Sequence, residues 1–148
     1  MKALMDNQRG TSAIEFALVL PLLVVFVFGI IEFGLIFYDK AMVTNASREA
    51  ARAGIVYRDP YVTGPEIISV VDSYCGAMLV SFGGGSHWTD VLNETEGGDE
   101  CVNHGDRLAV NVHYQYDFLL IPDFLTAFFT GGMPGSIDVS AVTRMRCE

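Results

Sequence analysis

Basic residues are scarce in this chain. Nine Lys and Arg stand against eighteen Asp and Glu, a formal net charge of −9. Beyond Tyr57 only Arg58, Arg107, Arg144 and Arg146 face thirteen acids. A nucleic-acid binder needs a basic footprint, so no nucleic-acid partner is expected. Histidine and cysteine are also few, three of each. Cys101-Val-Asn-His104 has zinc-like spacing, but no second pair of ligands completes a four-coordinate site. The acidic run at 93–100 lacks the ordered alternation of an EF-hand and reads as a solvated loop. Gly83-Gly84-Gly85-Ser86-His87 lacks the spaced glycines of a nucleophile elbow. No metal, cofactor or catalytic constellation is expected, and the chain reads as a non-enzyme.

What the chain has in excess is apolar length. Its apolar fraction is 51% and its mean hydropathy +0.34, and the excess is concentrated near the start. Residues 16–31 carry no charge, and past Glu32 the apolar character resumes as Phe33-Gly34-Leu35-Ile36-Phe37-Tyr38. A bilayer crossing takes about 20 residues. The stretch exceeds the apolar core of a secretory signal, and no Ala-x-Ala-like site follows it, so it reads as a retained membrane helix. Lys2 and Arg9 before the span give the leader a slight edge as the cytoplasmic side. The acidic remainder then lies on the side away from the cytoplasm.

Along the chain, a first helix is expected over 12–57, kinked at Pro21, which removes one backbone hydrogen bond. Gly29 and Gly34 allow close approach of a neighbour. Val43, Ala46, Ala50, Ala53 and Tyr57 recur at spacings of three and four and make one small-residue stripe. Arg58-Asp59-Pro60 ends this helix. Thr63-Gly64-Pro65-Glu66 has capping-box spacing and starts a second one. Residues 87–106 read as an exposed loop with a short strand near 88–92. Leu108, Val110, Val112, Tyr114 and Tyr116 then alternate with polar residues, as Ile137, Val139, Ala141 and Thr143 do near the end, giving two strands. Between them lies an apolar patch, Phe124-Leu125 and Phe128-Phe129. The fold class expected is α+β: a long transmembrane helix continuing into a small domain of a second helix packed on an antiparallel sheet. The organisation expected is a leader at 1–10, a transmembrane helix at 11–38, its extramembrane extension at 39–58 and an outer domain at 59–148.

All three cysteines, Cys75, Cys101 and Cys147, fall in that outer domain. An oxidising periplasm allows one bridge with one thiol left over, and three pairings are open. If the two strands pair antiparallel, the start of one meets the end of the other. Leu108 then lies near Cys147 with Cys101 a short loop upstream, which favours Cys101–Cys147. The alternative is three reduced, buried thiols.

Two carboxylates stand out against the apolar span. Glu15 sits at its lip, where an acid costs up to roughly 2.5–3.5 kcal/mol if carried towards the bilayer centre. Glu32 lies near the outer face, sixteen residues past Phe16 and so about 24 Å along the helix. There it is either a wetted interfacial carboxylate or a partner for a basic group on a neighbouring protein.

Gly10, four residues, then Glu15-Phe16-Ala17-Leu18-Val19-Leu20-Pro21 resembles the processing site of prepilin-like proteins of the type IV pilus superfamily. With Gly29-Ile30-Ile31-Glu32-Phe33-Gly34 and Asn45-Ala46-Ser47-Arg48-Glu49-Ala50-Ala51-Arg52-Ala53-Gly54, the chain looks most like the TadE-like pseudopilins of tight-adherence (Flp) pilus systems. The resemblance implies a pilin-like fold and cleavage after Gly10 by a prepilin peptidase, with Thr11 as the new N-terminus. It also implies assembly through Glu15, Phe16 and Glu32 with other pilins and an inner-membrane platform, in a protein that serves surface attachment. The alternative is an uncleaved single-pass membrane protein whose outer domain binds a ligand or envelope partner.

Overall fold

The computed structural model describes residues 2–80, 85–118 and 135–148, with side chains from Gly10 onward. A single rod, α1 (Lys2–Ile55), runs through Pro21 without a break in its helical assignment. It starts ten residues earlier than the sequence pattern suggests and stops two residues sooner. Four elements follow: α2 (Gly64–Met78), β1 (His87–Asn93), β2 (Arg107–Asp117) and β3 (Ser136–Arg146). The three strands form one antiparallel sheet in the order β1-β2-β3. The architecture is therefore the expected α+β one, a long apolar helix and a second helix packed against a small antiparallel sheet.

The upper part of α1 forms the spine of the domain. It packs against β3, β2 and α2. Val43, Ala46, Ala50 and Ala51 are fully buried, and their short side chains let the sheet lie close to the helix backbone. At Gly54 the approach is closest. A Cβ there would meet Leu108 Cδ2 at 2.6 Å and Ile67 Cδ1 at 2.7 Å, both from fully buried side chains. Leu108, Val110, Val112, Tyr114 and Tyr116 supply the sheet's inner face, as the period of two requires. From α2, Ile67, Val71 and Cys75 reach the same core at four-residue spacing. The start of α2 is fixed by Glu66, whose carboxylate accepts from the Thr63 backbone N–H at 2.9 Å and from its hydroxyl at 3.1 Å.

The short strand expected near 88–92 is present and slightly longer, and most of 94–106 is an exposed loop. β1 pairs with β2 over its full length, from His87↔Tyr114 to Asn93↔Leu108. Its alternation is hard to see in the sequence because its outward side carries Trp88 and Leu92 beside Asp90. The turn after it is organised by two buried polar residues. Asn93 Oδ1 accepts from the Thr95 and Glu96 N–H groups, and its amide donates to Glu100 O at 3.0 Å and Asp106 Oδ2 at 3.1 Å. Asp106 also accepts from the Asn103 and Val102 N–H groups. These donors, the Asn103 N–H foremost, hold its carboxyl below the usual range. The apolar patch at 124–129 lies outside the described residues, as does most of the Phe82-Gly83-Gly84-Gly85-Ser86 segment.

β2 and β3 pair as expected, from Arg107↔Arg146 to Asp117↔Ser136. That register brings the end of β3 beside the loop before β2, and Cys101 and Cys147 are joined there with a Cα–Cα distance of 6.0 Å. Because the sulfur of Cys101 is used in the bridge, Cys101-Val-Asn-His104 is not a zinc half-site. Cys75 is the free cysteine, buried in the core, and burial pushes its thiol up to about 11. Closing a 46-residue separation stabilises a fold by about 2–4 kcal/mol. Reduction of the bridge is therefore expected to lower the unfolding free energy by that amount in a denaturant titration. The native oxidised protein at pH 8 should take up no thiol reagent, and one equivalent only after unfolding.

Candidate functional site

The residues singled out by sequence fall on two separate stretches of α1. On the lower stretch Gly10, Thr11, Glu15 and Phe16 lie on the bare rod, all exposed. Thr11 and Glu15 are four apart and share one helix face. From there to residue 31 the exposed surface is almost wholly apolar: Leu18, Leu22, Phe26 and Ile30 all stand clear of the domain. Among the described residues α1 is the one helix long and apolar enough to cross a membrane, and its most apolar window is not buried by the rest of the chain. The architecture is that of a single-pass membrane protein with a globular C-terminal domain.

On the upper stretch the bare helix meets the domain, and Glu32 marks the junction. It is 2% exposed, and the Tyr116 hydroxyl at the end of β2 donates to its Oε1 at 3.1 Å. Glu32 is thus enclosed by its own domain, not open at a wet interface. It lies seventeen residues beyond Glu15, about 25 Å along the rod, so the two acids serve different surroundings. The Tyr116 hydroxyl is pushed well above the ordinary tyrosine value, first by burial and then by the neighbouring Glu32 carboxylate. It remains a proton donor at any physiological pH.

Sequence reasoning missed a second acid in this interface. Asp39 is completely buried, seven residues and two turns above Glu32. Its Oδ1 accepts from the Val80 N–H at 3.1 Å, while its Oδ2 has no hydrogen-bond partner among the described residues. The signal was present: 32, 39, 43, 46 and 50 lie on one face at heptad-like spacing, so the buried stripe starts below Val43. Beside it Lys40 reaches across to the Ser140 carbonyl, and Ser47 shares a hydrogen bond with Thr143 at 2.8 Å. Also missed was a cluster on the outer face of the sheet, where Trp88 stacks on His113 at 4.9 Å and 3°. There His113 Nδ1 faces Asp138 at 3.2 Å and Nε2 faces the Asn111 amide at 2.6 Å. Among the described residues no group of three His, Cys, Asp or Glu is placed to hold a metal ion.

Residues 10–52 match the family described as TadE-like protein. Over that stretch the chain is similar to TadE-like proteins. No curated protein and no solved structure gave a significant match. The TadE-like segment begins on Gly10 and covers Glu15, Glu32, Asp39 and the buried stripe up to Arg52. It therefore holds the bare rod and most of the spine, while the sheet, α2 and the disulfide lie outside the match.

A hydrogen bond to a charged group contributes about 1.5–3 kcal/mol. Tyr116→Phe, which removes only the hydroxyl, is expected to destabilise the domain by that amount in a thermal or denaturant melt. The wild-type protein should also show an alkaline limb tied to this tyrosine. Its folded pKa lies above its unfolded one, so stability is full below about pH 10 and falls as pH rises towards the folded value. Tyr116→Phe should flatten that limb.

Proposed function

We propose that this chain is a non-enzymatic minor pilin or pseudopilin, cleaved after Gly10 by a prepilin peptidase and built into a tight-adherence pilus. The observation that carries this reading is the TadE-like match starting at Gly10, joined to a rod whose lower surface is apolar, uncovered and marked by one exposed acid, Glu15. Cleavage creates an α-amino group on Thr11, with an ordinary pKa near 7.7–8.0. That cation and the Glu15 carboxylate lie at the same end of the rod. In an assembled bundle the Glu15 of one subunit meets the Thr11 amine of a neighbour, and each neutralises the other inside apolar surroundings. Breaking such a buried pair costs about 3–5 kcal/mol, because one charge is left uncompensated. The helix dipole adds to the preference for an acid near the N-terminus. On this reading the acidic domain stands on the outer side of the inner membrane, and the partners are the peptidase, other pilins and the assembly platform.

N-terminal sequencing of the membrane-purified protein tests the processing step. Thr11 as first residue is expected; Met1 on protein from piliated cells would instead favour an uncleaved receptor-like anchor. Glu15→Val tests the assembly step. It should insert in the membrane at wild-type levels yet be lost from sheared pili, and its normal incorporation would remove Glu15 from the mechanism.

A further inference from the structure

The sheet reaches farther back along α1 than the sequence suggests, and three observations fix how far. Lys40 meets Ser140, and Ser47 meets Thr143, so β3 climbs alongside α1. Seven helix residues and three strand residues each span about 10 Å. One further step down places Ile137 level with residue 33. Independently, Tyr116, which is paired with Ile137 in the sheet, donates to Glu32. The lower edge of the domain therefore lies at the level of residues 32–33.

Residues 11–31 span about 31 Å as a helix, which matches a hydrocarbon core of about 30 Å. The domain thus begins where the hydrocarbon ends, with no spacer between them. At this level the outward surface remains apolar: Phe33 is 60% exposed, Phe37 71% and Ile137 45%. The face carrying Phe33 and Phe37 continues without a break from Phe26 and Ile30 below, and Gly29 and Gly34 leave a shallow groove along it. On the opposite face Glu32 and Asp39 are enclosed by the domain and away from lipid. The chain joining β2 to β3 also leaves and returns at this edge, where the Phe118 N–H donates to Gly135 O at 3.2 Å. Its sixteen residues, 119–134, carry a single charge, Asp123.

We propose that the lower end of the α+β domain is seated in the headgroup region of the bilayer that α1 crosses, with Phe33, Phe37 and Ile137 in contact with lipid. The occupant of this apolar surface is lipid because the surface continues the lipid-facing side of the span. The contact through Phe33, Phe37 and Ile137 is apolar; Lys40, one turn above Phe37, is engaged by the Ser140 carbonyl. It turns the span and the sheet edge into one membrane-bound unit and fixes the height of the domain above the bilayer. This inference rests on the single-pass topology and not on processing or pilus assembly.

Depth-dependent quenching of single tryptophans tests it. The full chain with Trp88→Phe is reconstituted into phosphatidylcholine–phosphatidylglycerol vesicles whose acyl chains are brominated near the headgroup. Tryptophan is placed in turn at Leu23, Phe37, Ile137 and Val102, four exposed positions whose substitution leaves the core intact. Phe37→Trp and Ile137→Trp are expected to be quenched several-fold more than Val102→Trp, which lies beside the disulfide at the far end. Quenching at Phe37→Trp with none at Ile137→Trp would overturn the proposal, because only the helix would then be immersed. So would unquenched Phe37→Trp together with disulfide-linked dimers of Phe37→Cys, which would put a second copy on the surface. If Leu23→Trp, near mid-span, were unquenched in a second set of vesicles brominated towards the acyl-chain ends, the topology itself would fail; processing at Gly10 is read separately by N-terminal sequencing.

Discussion

Everything above the bilayer depends on the close packing of a sheet against the upper turns of a helix whose lower turns cross the membrane. Val43, Ala46, Ala50, Ala51 and Gly54 give α1 a face of short side chains. Larger residues there would lift the sheet off the helix and force the buried side chains of Leu108 and Ile67 aside, since overpacked cores strain by about 1–3 kcal/mol. Because α1 has no break at the junction, the domain is not tethered to its anchor; it is built on it. The orientation of the sheet is then set by the same helix that spans the lipid.

The acids along this helix have distinct roles according to what surrounds them. Glu15 lies exposed on the bare rod. Glu32 is compensated within its own chain, by a tyrosine held as a proton donor through burial. Asp39 takes one backbone N–H and, among the described residues, keeps one oxygen without a partner, where an unsatisfied buried polar group costs about 1–3 kcal/mol. That cost is offset by the packing around it, for the same face carries the fully buried Val43 and Ala46. The polar side of the domain is ordered in a similar way: Asn93 and Asp106 organise an acidic turn, and Cys101–Cys147 closes it.

The long helix, the capped second helix and the pairing of β2 with β3 were legible in the sequence, because each has a strong local cause. The apolar run, the Thr63–Glu66 spacing and the strict alternation of 108–116 are such causes. The disulfide followed from the strand pairing. What escaped detection depends on tertiary contact. A short strand near 88–92 is expected, but mixed polarity on its outward side masks the period of two, so its full extent and its pairing with β2 are not. The interior position of Glu32 depends on Tyr116, eighty-four residues away. Asp39 was hidden because a charged residue interrupts a buried stripe otherwise made of small apolar ones. For Gly10, Thr11 and Glu15, the sequence motif itself remains the source of the proposed role, which involves other chains.

The most direct test of the single-rod account is a spin-label distance between the span and the sheet. Labels at Leu23→Cys on α1 and Val142→Cys on the outer face of β3 can be placed selectively, because Cys75 is buried with a raised thiol pKa and the other two cysteines are bridged. Measured on the full chain in bilayers, one narrow distance distribution is the expected result. A broad distribution, or two separate distances, would show a hinge between anchor and domain and contradict the account.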